Sequence, residues 1–331
     1  MRTAVATSKE PMKPKVLVTR EVFDEVLAYL DTSLDVESNQ GDVPFEPHEL
    51  RARLRGKNGI MCALTDRIDA ELLDASPALK AVCNIAVGYN NIDVAACTQR
   101  GVMVTNTPGV LDETTADLIW ALLLATARRL TEAEAYLRNG EWTGWYLKQL
   151  LGTDVHHATL GIVGMGRIGQ VIARRALGFE MQVVYHNRKR LDASIETALG
   201  ARYASLDELL ACADFVVLQV PYSQATHHLI GAPQLAKMKP TAILINAARG
   251  GIVDDAALIE ALRRGTIHAA GLDVFENEPR LDPGFLALKN VVLAPHIGSS
   301  TRATRLAMAM TAARNLVAAL SGSTPPNLVN R

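Results

Sequence analysis

Apolar positions fall into two alternating patterns along this chain. Short apolar or β-rich runs recur at 15–19, 34–37, 59–63, 81–85 and 102–106. Such runs, bounded by turn signals, predict strands buried on both faces of a parallel sheet. Between them, stretches such as 23–30 and 70–73 carry apolar residues at helical spacing. Thr107-Pro108-Gly109 is a turn that closes this first series. A helix is predicted to open at Asp112-Glu113-Thr114-Thr115, with its acids at the positive end of the dipole. It continues into Leu118-Ile119-Trp120-Ala121-Leu122-Leu123-Leu124 and is apolar on nearly every side. It should therefore be buried on several faces, inside a large domain or against a second subunit. A second strand series is predicted at 159–163, 182–185, 215–220, 242–246, 269–274 and 291–294, and a last helix at about 301–320. Strand and helix alternate throughout, which predicts an α/β protein with mainly parallel sheets in two domains.

Composition narrows this picture. A length of 331 residues suits about two domains. With 49% hydrophobic and 21% charged residues the chain is a packed globular protein, and with 5% aromatic residues its core is aliphatic. Lys plus Arg is 34 against 35 for Asp plus Glu, so there is no electrostatic reason to expect nucleic acid or an anionic membrane as partner. The first ten residues carry no apolar core of signal-peptide length, and the most apolar stretch, 118–127, is too short to span a bilayer. A soluble, cytoplasmic protein is expected. Cys62, Cys83, Cys97 and Cys212 form no Cys-x-x-Cys pair, so buried reduced thiols are expected and no metal site.

The most specific local signal is Gly164-Met165-Gly166-Arg167-Ile168-Gly169, after a predicted strand and before a predicted helix at 170–177. In that setting the motif has a mechanism. Gly164 permits the tight turn, Gly166 lets backbone approach a pyrophosphate drawn to the helix N-terminus, and Gly169 lets the helix pack close to the strand. The next strand ends at Tyr185-His186-Asn187-Arg188-Lys189-Arg190. It has three successive cations where an acid would hold the ribose hydroxyls of NAD. Arg188 and Lys189 can instead bind the 2′-phosphate of NADP, so NADP is expected over NAD.

Three later segments put polar residues just past apolar strands, at the ends that face the cofactor crevice of a doubly wound sheet. They are Asn246–Asp254 with Arg249, Gly271–Pro279 with Asp273 and Glu278, and Ala294–Thr301 with His296. Any of these groups alone would read as structural, but their convergence downstream of a dinucleotide loop reads as a site.

With Val87-Gly88-Tyr89-Asn90-Asn91-Ile92-Asp93, Thr105-Asn106-Thr107-Pro108-Gly109 and the glycine loop, these segments resemble the D-isomer-specific 2-hydroxyacid dehydrogenase family, in family order over nearly the whole chain. Gly-Glu-Trp-Thr-Gly-Trp at 140–145 and the basic turn bring it nearest to the glyoxylate/hydroxypyruvate reductase and 2-ketogluconate reductase branch. The resemblance implies two Rossmann-like or flavodoxin-like domains, nested rather than consecutive. A substrate domain would comprise 1–111 and 298–331, a dinucleotide domain 112–297, and the active-site cleft would lie between them. It implies a homodimer, built with the apolar helix after Asp112 and the arm around 142–146.

The resemblance also implies roles, and the chemistry agrees with them. Arg249 would clamp the substrate carboxylate, helped by backbone N–H groups around Val87 and Gly88. His296 would exchange the proton with the keto oxygen, and Glu278 would pair with it, orienting the ring and favouring imidazolium. Asp273 would hold the nicotinamide carboxamide, and Val220, Pro221, Ala247 and Gly298 would add cofactor contacts to those of Arg167, Ile168 and Asn187. The expected reaction is NADPH-linked reduction of glyoxylate, hydroxypyruvate or 2-ketogluconate. The alternatives are an NAD-linked relative acting on another acid, and a dinucleotide-sensing binding protein of the same fold. Two residues depart from the family pattern: Glu180, where glycine is frequent, and Tyr222, where leucine is common.

Overall fold

A computed structural model describes residues 12–330. Residues 1–11 and 331 lie outside the described residues, and with them the first ten residues, where no signal-peptide core is expected. The chain forms two compact units, Met1–Val110 with Arg302–Arg331, and Leu111–Thr301.

The first unit has five strands: β1 (Lys15–Val18), β2 (Asp35–Ser38), β3 (Gly59–Cys62), β4 (Ala81–Asn84) and β5 (Met103–Thr105). They pair in parallel in the order β2-β1-β3-β4-β5. This is a flavodoxin-like order, with a switch of winding direction between β1 and β3. Val16, Leu17 and Val18 are 0% exposed although successive side chains point to opposite faces. Cover on both faces is why the strands read as continuous apolar runs rather than as alternation. The helix Arg302–Leu320 returns the chain to this unit and lies on β3 and β4 through Ala309, Ala312, Ala313 and Leu316. Its small residues allow close approach.

The loop after β4 is held by amides. Asn84 Nδ2 donates to the Gly88 carbonyl at 2.8 Å, and Asn106 Nδ2 to the Val87 carbonyl at 2.8 Å. The carbonyls of both residues are therefore engaged. Their N–H groups have no hydrogen-bond partner among the described residues.

The second unit has seven strands: β6 (Thr159–Val163), β7 (Gln182–His186), β8 (Ala201–Tyr203), β9 (Phe215–Leu218), β10 (Ile243–Asn246), β11 (Ala269–Leu272) and β12 (Val291–Leu293). All pair in parallel, in the order β12-β11-β10-β9-β6-β7-β8. Winding reverses between β6 and β9, as in a Rossmann sheet. Alternate residues feed two cores. Phe215, Val217, Ile243 and Ile245 join Ile119, Leu123 and Ile172 of the helices Asp112–Ala127 and Arg167–Ala176. Val216, Leu218 and Leu244 join Leu209, Leu258 and Leu262 on the other face. The apolar helix Asp112–Ala127 thus buries most of its surface within its own unit, with Glu113, Asp117 and Ala121 facing water. No helix among the described residues is long and apolar enough to cross a membrane.

The structure differs from the sequence reading in a few places, each with a local cause. The strand β8 was not expected: Ala201-Arg202-Tyr203 is an edge strand of three residues and carries no apolar run. The strand predicted at 215–220 stops at Leu218, which leaves Val220 and Pro221 in a loop. The helix predicted at 170–177 begins earlier, at Arg167, with Gly166 as its cap. Glu180 has φ 54, a left-handed turn in which glycine costs less, and this explains the family's frequent glycine there. Cys62, Cys83 and Cys97 are buried, and burial raises the Cys83 thiol to about 12 and the Cys97 thiol to about 11, far from a reactive thiolate.

Candidate active site

The crevice at a switch point takes its floor from the loops of the two strands that flank it. Here these are the glycine loop after β6 and Gln219-Val220-Pro221 after β9. The fold itself needs two of the three glycines. Gly164 has φ 103, and a Cβ there would lie 2.4 Å from the Gln219 carbonyl. A Cβ on Gly169 would lie 2.4 Å from the Gly164 carbonyl. A Cβ on Gly166 would meet nothing within 4 Å, so nothing in the protein asks for glycine there. The remaining reason is the approach of a ligand to the backbone.

The surroundings fit an anionic ligand. Gly166, Arg167, Ile168 and Gly169 supply the open N–H end of a ten-residue helix with no side-chain cap. The Gln219 amide nitrogen beside this loop is buried without a hydrogen-bond partner among the described residues. The Arg167 guanidinium is turned to Asp112, at 3.1 Å, and Ile168 is half-buried against the core. A dinucleotide pyrophosphate suits this cradle. Val220 is half-buried and Pro221 exposed at the end of β9, and Ala247 is buried just past β10.

The basic turn after β7 contains a paired residue the sequence did not reveal. Arg190 forms a two-pronged contact with Glu196, at 2.8 and 2.7 Å, and the Tyr185 hydroxyl donates to the same carboxylate at 2.6 Å. Arg190's hydrogen bonds, then that of Tyr185, lower the Glu196 carboxyl to about 2. The expected trio of free cations is therefore a duo. Arg188 and Lys189 are exposed and have no ion-pair partner among the described residues. The Asn187 side chain is occupied by the Met165 N–H, at 2.7 Å, and so ties this turn to the glycine loop.

The strands β10, β11 and β12 end side by side and carry the remaining candidates. His296 Nδ1 and Glu278 Oε2 are 2.7 Å apart, both side chains about one-third exposed. The other Glu278 oxygen accepts the Phe275 N–H at 2.9 Å. Burial pushes the Glu278 carboxyl up, but the hydrogen bond and charge of His296, the Phe275 N–H and the charge of Arg249 outweigh it and hold the carboxyl below its ordinary value. His296 Nε2 has no partner among the described residues. Asp273 is 1% exposed, and its two oxygens accept the N–H groups of Ile297 at 2.7 Å and Gly298 at 2.8 Å. His296 has φ 55 and Asn277 φ 60, so two of the chain's few left-handed non-glycine residues sit here.

Arg249 is half-buried and donates only to its neighbour's carbonyl, that of Ala248, at 2.6 Å. No carboxylate lies within ion-pair distance among the described residues. Burial pulls its guanidinium down and the charge of Glu278 opposes this. Asn246, at the end of β10, steadies the Arg249 loop: its amide donates to the Arg249 carbonyl at 3.2 Å and accepts from the Ala248 N–H at 3.2 Å. Gly250 lets the loops after β10 and β11 press together, since a Cβ there would lie 1.8 Å from the Phe275 carbonyl. Arg249, Asp273, Glu278, His296 and Gly298 thus share one end of one sheet with the glycine loop. Val87 and Gly88 belong to the other unit.

Comparison with known proteins relates the chain to one family. The pattern described as D-isomer specific 2-hydroxyacid dehydrogenase, NAD binding domain, matches residues 120–298. A glyoxylate reductase of Thermococcus onnurineus is 50% identical over 324 residues, covering 97% of each chain. A solved glyoxylate reductase from Paecilomyes thermophila is 33% identical with a TM-score of 0.86, covering 96% of this chain and 98% of that one. An NADPH-dependent glyoxylate/hydroxypyruvate reductase from Sinorhizobium meliloti, solved with NADP and malonate, is 36% identical with a TM-score of 0.85, covering 96% and 97%.

Asp255 supports this region from behind, accepting the Glu276 N–H at 3.0 Å. Burial, opposed by that hydrogen bond and reinforced by nearby carboxylates, raises its carboxyl from 3.8 to about 6. In that window the folded chain holds a proton that the unfolded chain has released, so stability falls as pH rises through it. Asp255→Asn keeps the acceptor and removes the charge. It should exceed the parent in stability by about 1–3 kcal/mol near pH 8, with the difference gone by about pH 4. Urea unfolding at both pH values checks this; an equal difference at the two would show that Asp255 ionises without penalty.

Proposed function

The chain belongs to the D-isomer specific 2-hydroxyacid dehydrogenase family, and on that footing we propose that it reduces glyoxylate to glycolate, or hydroxypyruvate to its D-2-hydroxy acid, with NADPH. It is an NAD(P)-dependent enzyme acting on 2-keto acids. The observation that carries the finer reading is the Arg249 guanidinium, half-buried and without a carboxylate, beside a His–Glu pair. A buried cation without a counter-ion costs stability. A substrate carboxylate supplies the missing partner, and the planar guanidinium fixes the plane of the acid.

Roles follow from the geometry. When bound, the nicotinamide dinucleotide supplies the hydride. Glu278, kept ionised, takes the Nδ1–H of His296, so that Nε2 is the ring atom left to protonate the keto oxygen. Asp273 fixes the backbone on which His296 rides, and its remaining lone pairs suit a carboxamide N–H. Val87 and Gly88 of the other unit offer two unpartnered N–H groups, a donor pair of the kind that suits a carboxylate. Gly166 and the helix N-terminus take the pyrophosphate, and Arg188 and Lys189 the 2′-phosphate. The Sinorhizobium meliloti relative, NADPH-dependent and solved with NADP, supports that choice of cofactor. The small acids follow from the names of the relatives.

The working unit we propose is a homodimer. Trp142, Trp145, Tyr146 and Leu147 are 57%, 78%, 58% and 77% exposed, an aromatic arm that a second copy would cover. Sedimentation should show one species of twice the chain mass, and Trp145→Glu with Leu147→Glu should shift it to monomer; a monomeric parent chain would refute the assignment.

His296→Ala should lower kcat by roughly 10²–10⁴, the range for a lost general acid. Arg249→Ala should raise KM for the acid and lower kcat together, and an unchanged KM would remove it as the clamp. For the cofactor, kcat/KM should favour NADPH over NADH. Replacing Arg188 and Lys189 by Ala should cost NADPH about 10–100-fold while leaving NADH within about twofold, as expected for lost charge-assisted contacts. A parent chain that prefers NADH would contradict the assignment.

A further inference from the structure

The loops after β9 and β11 carry a second polar cluster that the reaction does not use. His227, His228 and Glu276 each offer one ligand atom, and these atoms lie within 4.8 Å of one another. His228 Nε2 is hydrogen-bonded to Glu276 Oε1, and its Nδ1 lies 3.8 Å from Asp254 Oδ2. The His227 and His228 rings are stacked, with centroids 3.9 Å apart. Neighbouring side chains on an extended backbone point to opposite sides. His228 has φ 49, and this left-handed turn brings both rings to the same side. The His228 N–H fixes the turn to the Gly251 carbonyl at 2.8 Å. The Tyr222 hydroxyl is hydrogen-bonded to His227 Nδ1 at 3.2 Å, so the residue that replaces the family's common leucine contacts this cluster.

We propose that His227, His228 and Glu276 form a binding site for a divalent transition-metal ion of the zinc class, tying the loop after β9 to the loop after β11. Two imidazoles and one carboxylate are the donor set that zinc accepts in three-ligand sites with a water in the fourth position. Magnesium and calcium prefer oxygen donors and are disfavoured by two ring nitrogens. Asp254 Oδ2 lies 3.8 Å from the second nitrogen of His228, outside hydrogen-bond distance, and adds negative charge beside the site. His227 is exposed, which gives the ion an entry path. Cysteine spacing gave no reason to expect a metal. This site contains no cysteine, and His228 and Glu276 are 48 residues apart in sequence. None of its three ligands is among the groups assigned to the substrate or cofactor, so the inference does not depend on the reaction.

The test is calorimetric titration of Zn²⁺ into the full-length, untagged chain, stripped beforehand with a chelator. The parent should take up one Zn²⁺ saturably, with Mg²⁺ failing to compete. His227→Ala alters an exposed ring and leaves the His228–Glu276 pair in place, so it keeps the fold. It should bind Zn²⁺ more weakly by roughly 100-fold or more, since a lost ligand costs at least as much as a lost outer partner. Zn²⁺ should raise the Tm of the parent by several degrees and leave that of His227→Ala unchanged. Equal Zn²⁺ affinity in the parent and His227→Ala, or no saturable uptake by the parent, would overturn the proposal.

Discussion

A carboxylate sealed from water must find donors, and Asp273 finds them in the backbone of the neighbouring strand's loop. Its oxygens hold the N–H groups of Ile297 and Gly298, and its own carbonyl holds the His296 N–H at 2.9 Å. Burial still raises its carboxyl, against those N–H groups and the charge of His296. This costly group fixes the path of the chain through residues 296–298, and with it the position of the His296 ring. Glu278 then acts on a ring already placed, and is itself fixed by the Phe275 N–H. The contact of Gly250 with the Phe275 carbonyl locks the Arg249 loop to the same frame. Three strand ends are therefore tied into one piece, as the proposed proton transfer and carboxylate binding would require of side chains far apart in sequence.

Charge is distributed around that frame with a purpose. Several Arg side chains of this unit have carboxylate partners: Arg190 has Glu196, Arg167 has Asp112, and Arg175 has Glu113 and Asp117. Arg249, Arg188 and Lys189 have no carboxylate partner among the described residues. Each stands at a strand end, where a doubly wound sheet presents its ligand-binding loops. Under the proposed function, Arg249, beside the His296–Glu278 pair, would take the single carboxylate of the acid, and Arg188 and Lys189, past β7, the extra phosphate of NADP.

Much of this was legible in the sequence for a physical reason. A strand covered on both faces is apolar nearly throughout, so β3 and β9 appear as uninterrupted runs, and β4 and β10 as runs that turn polar only at their last residues, Asn84 and Asn246. Polar residues that matter stand where the runs stop. The glycine loop was legible because a tight turn and close helix packing leave few other residues possible. Other features depend on tertiary contact and leave no local trace. The strand β8 is held by its neighbour rather than by propensity. The pairing of Glu196 with Arg190 requires a helix to fold back on the turn after β7. The left-handed backbone at His228 and His296 belongs to no residue pattern that a sequence displays.

Turnover of a small 2-keto acid with a nicotinamide cofactor separates an enzyme from a protein that only binds the dinucleotide. The direct measurement is NADPH oxidation by the purified chain on addition of glyoxylate, with the product identified. Saturable conversion to glycolate, one per NADPH oxidised, is the expected result. Tight NADPH binding with no turnover of glyoxylate or hydroxypyruvate would contradict it.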